Sequence, residues 1–370
     1  MQVLSFEFRK GLLNFSKSKN LLKFDYSSSS ITNRSNSLRL LGFPSCVGQS
    51  LDGPDLTPDL LLEHGMVDVV KDCDWRVAQT EILRFNDTSN GNSNGNSDGN
   101  GSKNNLLNAK ESVRVGRENY LIHECVKKHA KSDDFLLMIG GDHSIALGTI
   151  SGVTSARPNT GVIWVDAHAD INTPRTSGSG NMHGMPVAFL LGEVEQEDMQ
   201  HLPGMEWFPL SKSQPCLKPQ DLVYIGLRDL DPGEKNAIKR LNIKAYTMTD
   251  IDRLGIGRVM EEVIQHFSGR DVHLSFDIDA LDPVFAPHTG TRVEGGLTSR
   301  EAHYICESIA LAASSSEDDN DSNAGRLNLT SMELVEVNPL LHTDLNAKDP
   351  TRTIRLANAL IGSILGNRIL

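Results

Sequence analysis

At 370 residues the chain is long enough for one large domain or two ordinary ones, taking about 150 residues per domain. Its formal net charge of -12 excludes a surface built for nucleic acid or anionic membrane, since such partners are held by Lys and Arg neutralising phosphates. No apolar run approaches the roughly 18 residues needed to span a bilayer, and 38% hydrophobic residues with 31 glycines suit an α/β protein acting on a small molecule.

The first 36 residues form an N-terminal extension that carries Arg9, Lys10, Lys17, Lys19, Lys23 and Arg34 against Glu7 and Asp25, with many serines. This basic, acid-poor, Ser-rich composition fits either a mitochondrial transit peptide or a disordered extension of a cytoplasmic protein. Residues 37–370 then read as a single domain with two disordered inserts. Asp87 to Asn105 contains no apolar residue, and Ser314 to Gly325 is acidic, so neither stretch buries enough surface to offset chain entropy.

Outside the inserts, buried strands are expected at Ser37–Phe43, Phe135–Ile139, Gly161–Val165, Leu222–Ile225, Asp271–Phe276 and Leu329–Val335. Amphipathic helices are expected at Asn104–Ala130, Arg258–Phe267 and Ser299–Ala313, with a last helical segment at Thr351–Leu365. Strands apolar on both faces and separated by helices imply a parallel sheet covered on both sides. Five cysteines at irregular spacing, without a CxxC pair, suggest free thiols rather than a disulfide framework or a zinc clamp.

In such a sheet ligands bind beyond the carboxyl ends of the strands. After Phe135–Ile139 comes Gly140-Gly141-Asp142-His143-Ser144; after Gly161–Val165 come Asp166, His168 and Asp170 at i, i+2 and i+4; after Asp271–Phe276 come Asp277 and Asp279. Alternate residues of extended chain point to one side, so each group can converge on one site. His143, Asp166, His168, Asp170, Asp277 and Asp279 are too many ligands for one tetrahedral zinc, and their oxygen-rich character suits two Mn²⁺, with Co²⁺, Fe²⁺ or Zn²⁺ as alternatives. For Asp142 and Asp282 the competing role is to cap a turn or helix.

The segments GGDHS, DAHADIN, SGNMHGMP, GLRDLDPGE, SFDIDALDP and EVNP occur in the order seen in the arginase family of ureohydrolases, which the chain resembles from about Ser37 onward, inserts excluded. The resemblance implies a three-layer α/β/α fold around a central, mostly parallel sheet of about eight strands. It implies that the same six residues hold two Mn²⁺ per subunit, with Asp166 and Asp277 as bridges. It also implies a homotrimer or homohexamer.

The activity implied is hydrolysis of L-arginine to L-ornithine and urea by a metal-bridging hydroxide. In that reading Asp170 orients the nucleophile, His183 transfers a proton, Glu336 binds the guanidinium, and Thr291 lies near the guanidinium end. Asn172, Ser179 and Asn181 hold the α-carboxylate, while Asp231 and Glu234 hold the α-amino group. The rival readings are another ureohydrolase acting on agmatine or a guanidino acid, and a catalytically idle, metal-stabilised binding protein.

Overall fold

The computed structural model describes residues 36–85, 107–208, 215–314, 325–341, 349 and 351–367. The expected N-terminal extension lies outside the described residues except for its last residue, Asn36, the first insert lies wholly outside them, and so does the second insert except for its two ends, Ser314 and Gly325.

Eight strands form one parallel sheet: β1 (Ser37–Phe43), β2 (Arg76–Ile82), β3 (Phe135–Gly140), β4 (Gly161–Val165), β5 (Leu222–Leu227), β6 (Lys244–Thr247), β7 (Asp271–Asp277) and β8 (Asn328–Val335). Their spatial order is β2-β1-β3-β8-β7-β4-β5-β6. Every residue of β3, β4 and β5 is buried, so helices must cover both faces, and the architecture is the three-layer α/β/α expected.

The two strands without a sequence expectation, β2 and β6, are the edges of this sheet. All their residues but the buried Tyr246 are half-buried or exposed, and they include Arg76, Glu81 and Lys244, so an apolar-run criterion passes over them. The helix expected from Asn104 instead runs Ser112–His129. Ahead of it the Asn108 and Lys110 N–H groups bond to the carbonyls of Pro174 and Gly180, and Glu111 takes a left-handed φ of 54°, so the helix cannot extend backwards. The last helix, Thr351–Ile364, lies where its periodicity places it.

The sheet order matters more than any single element. Strands β3, β8, β7 and β4 are neighbours although they are distant in sequence, and their carboxyl ends lead into GGDHS, EVNP, the Asp277 turn and DAHADIN. Register aligns Val165 with Phe276 and Asp277 with Val335, so the residues that follow these strands emerge at nearly one level. Gly141 shows how tightly the turns fit: a Cβ there would lie 1.6 Å from the Ser45 carbonyl oxygen. Glycine is therefore required where the chain leaves β3.

Candidate metal centre

The six residues expected as ligands converge at this common edge. The Nδ1 atom of His143 lies 3.2 Å from Asp166 Oδ2, 3.1 Å from Asp170 Oδ2 and 3.2 Å from Asp277 Oδ2. The Nδ1 atom of His168 lies 3.4 Å from Asp166 Oδ1 and 3.2 Å from Asp279 Oδ2. Two ligand groups result, His143–Asp166–Asp277 and Asp166–His168–Asp279, and Asp166 belongs to both with one oxygen turned to each. Asp277 contributes to the first group through Oδ2, while its Oδ1 accepts the Asp279 N–H at 2.7 Å.

The donor set fits divalent cations on one decisive observation. His143 Nδ1 is buried without a hydrogen-bond partner, although three carboxylate oxygens stand within 3.2 Å of it. A lone pair facing anionic oxygens is repulsive unless a cation or a proton lies between them. Burial lowers the proton affinity of both imidazoles, but the surrounding carboxylates raise it well above the ordinary histidine range. Burial and the charge of Asp166 push Asp170 up to about 6, whereas His143 and His168 overcome burial to hold Asp166 well below the carboxylate range. Both imidazole shifts have the sense expected where a positive charge is called for among these carboxylates, the place a divalent cation would fill.

Around the ligands the structure also locates the remaining candidates. Glu336 and Asp170 both adopt left-handed backbone, with φ of 64° and 48°, the kind of strain that persists where neighbouring contacts enforce it. Glu336 Oε1 accepts the His143 N–H at 2.9 Å and lies 3.1 Å from His183 Nδ1, while Oε2 accepts from Gln49 Nε2 at 2.8 Å. Burial lowers His183, but Glu336, with Asp170 and Asp142, pushes it up to about 9. Thr291 Oγ1 donates to Asp279 Oδ2 at 2.7 Å, so it supports a candidate ligand directly.

Above these groups opens a cleft of about 610 Å³ including its mouth, lined by His168, Asp170, Asn172, Ser177, Ser179, Asn181, His183, Gly184, Asp229, Asp231, Glu234, Asp277 and Thr291. Every expected substrate-contacting residue except Glu336 is in this lining. Asn172 Nδ2 donates to Asp231 Oδ2 at 2.9 Å, tying the two expected ends of the amino-acid pocket together. Glu234 accepts the Asp231 and Ile171 N–H groups at 2.9 and 3.3 Å, and burial pushes it up to about 7, so it also braces the loop as a helix cap.

Asp142 and Asp282 take the capping role. Asp142 accepts from the N–H groups of Ser144 and Gly48 at 2.9 and 2.8 Å, and Asp282 from those of Val284 and Gly295 at 2.9 and 2.8 Å. Sequence reasoning missed Gln49, Ser177, Asp229 and Arg228. The last donates from its guanidinium to the carbonyls of Asp279, Ala280, Leu281 and Val293, clamping the Asp277 turn to the Thr291 loop. It stands inside GLRDLDPGE, so attention to a charged residue within that segment could have found it. A third group, Glu81–Cys125–His129, has metal-capable atoms but a different setting. Arg39 Nη1 lies 3.1 Å from His129 Nδ1, and burial pushes the Cys125 thiol up to about 12, which leaves a hydrogen-bonded cluster beside a resident cation.

The comparisons with known proteins bear on this geometry. The model of the Arginase family matches residues 36–366. The chain belongs to the arginase family. It is 39% identical to Arginase-1 of Rattus norvegicus over 90% of this chain and 93% of that protein, and 42% identical to an arginase of Neurospora crassa over 87% and 84%. Among solved structures, an arginase from Bacillus cereus superposes with a TM-score of 0.74 at 33% identity, over 90% of this chain and 100% of that one. Family membership and the paired ligand groups agree on a metal-dependent hydrolase.

Proposed function

We propose that this chain hydrolyses L-arginine to L-ornithine and urea at a pair of Mn²⁺ ions. The observation that carries the reading is the shared carboxylate of Asp166 between two His–Asp groups, one wholly buried and one reaching the cleft through His168, at the floor of an acidic cleft. Six N and O donors without a thiolate suit Mn²⁺ better than softer ions. When bound, two such ions lower the pKa of a shared water towards neutrality, which supplies the nucleophile that a delocalised guanidinium requires.

The chain's own residues do the rest. Asp170 faces the cleft and accepts a hydrogen bond from the attacking water. His183, held by Glu336, donates the proton that the leaving amine needs. Glu336 accepts from the His143 and Gln49 N–H groups and lies 3.1 Å from His183 Nδ1, which supports a role in orienting His183 beside the guanidinium-binding role that the family resemblance implies. At the outer end Asn172, Ser179 and Asn181 offer donors to an α-carboxylate, and Asp231 offers an acceptor to an α-ammonium group.

Urea release from L-arginine should exceed that from agmatine, which has the same guanidinium but no α-carboxylate, by roughly 100-fold in kcat/KM, the worth of one or two charge-assisted hydrogen bonds. Equal turnover of the two would move the assignment to another ureohydrolase. The resemblance to the family also supports assembly as a homotrimer or homohexamer. Light scattering on the purified protein would read the mass of three or six chains, and a monomer would refute that part.

A further inference from the structure

One layer below the ligands, the register sets four residues side by side across the central strands: Met138 on β3, Glu333 on β8, Ser275 on β7 and Trp164 on β4. The period of two puts Ser275 and Trp164 on the same face as Asp277 and Asp166. Trp164 has an evident task, since its ring stacks on His143 with centroids 4.1 Å apart and its Nε1–H donates to Asp166 Oδ2 at 2.9 Å. Glu333 has none in the chemistry above, yet it is a fully buried carboxylate, which is costly unless its lone pairs are engaged.

Its partners form a directed chain. Glu333 Oε2 accepts from Thr149 Oγ1 at 2.6 Å and Oε1 accepts from Ser275 Oγ at 2.8 Å, while His273 Nε2 stands 3.4 Å from Oε1. Ser275 Oγ in turn lies 2.8 Å from His143 Nε2. A hydroxyl has one proton. With that proton given to Glu333, Ser275 can only accept from His143, so Nε2 carries hydrogen and the Nδ1 lone pair turns to the carboxylates of the first ligand group.

We propose that Glu333 is a positioning residue of the metal centre: acting through Ser275, it sets the tautomer and ring orientation that present His143 Nδ1 as a ligand. This rests on the two-metal reading above. Buried groups behind a ligating histidine commonly change metal affinity by about 10- to 100-fold when they are removed.

The test is Mn²⁺ titration of metal-stripped, full-length protein by calorimetry, with circular dichroism of each variant before metal is added. In wild type two ions should bind. In Glu333→Leu, which fills the space but offers no acceptor, one of the two steps should weaken by about 10- to 100-fold while the other stays. Ser275→Ala should give the same loss, and the double variant should lose no more than either single one. Glu333→Gln should restore binding, because Thr149 has a second acceptor in the Ile145 carbonyl at 3.3 Å and the amide oxygen is then left for Ser275. Wild-type affinity in Glu333→Leu, multiplying losses in the double variant, or a Gln variant as weak as the Leu variant would overturn the proposal. Should Glu333→Leu not fold, Ser275→Ala decides alone, and wild-type binding there overturns it. Wild-type protein that takes up no Mn²⁺ would instead defeat the two-metal reading itself.

Discussion

Asp166→Ala is expected to empty both metal positions, whereas Asp279→Ala empties one. Asp166 gives Oδ2 to the His143 group and Oδ1 to the His168 group, while Asp279 serves only the second. Urea release from L-arginine should fall on the order of 1,000-fold or more in Asp166→Ala, because several kcal/mol of activation come from the paired ions. The same loss should follow chelation of the wild-type protein, and added Mn²⁺ should reverse it there but not in the variant. Metal analysis of dialysed protein separates the cases: close to two ions per chain in wild type, one in Asp279→Ala and none in Asp166→Ala. Equal metal content in the two variants would mean that the shared position of Asp166 has no functional meaning. Persistent urea release from fully chelated protein would remove metal chemistry altogether.

That prediction needs the three-dimensional arrangement, although the ligands themselves were legible in the chain. Asp166, His168, Asp170, Asp277 and Asp279 stand out because extended backbone repeats every two residues and each group follows an apolar strand. The inner strands were legible for the same reason, since burial on both faces leaves a continuous apolar run. The edges were not, because β2 and β6 meet solvent and carry charge. Gln49, Ser275 and Glu333 were hidden for a different reason. Ser275 and Glu333 are lone polar residues within apolar strands and Gln49 lies in a bend, so none has a periodic signature, and their partners are set by the fold. Ser275 and Glu333 meet because β7 and β8 lie side by side in exact pairing, while their separation in sequence says nothing of it. Glu336 was legible through the EVNP segment, but only the fold brings its oxygens to His183, His143 and Gln49.

His183→Asn should lower kcat for L-arginine by roughly 100-fold or more while leaving Mn²⁺ content unchanged, since His183 belongs to neither ligand group. Its partner gives a sharper test. Burial disfavours a charged His183 imidazole, and the carboxylate of Glu336, 3.1 Å away, is what reverses this and holds the ring protonated above its ordinary range. The protonated ring is the donor, so activity should be present at low pH with respect to this group and be lost as pH rises through its pKa. Glu336→Gln keeps the shape but removes the charge, so the proton leaves His183 more easily and the alkaline limb of the kcat profile should move down by about one unit or more. The limb should disappear in His183→Asn, where no titrating donor remains. If the limb stays in place in both variants, some other group is the acid. If Glu336→Gln raises KM strongly while the limb stays fixed, Glu336 meets the guanidinium instead, and the binding role implied by family resemblance is the better one.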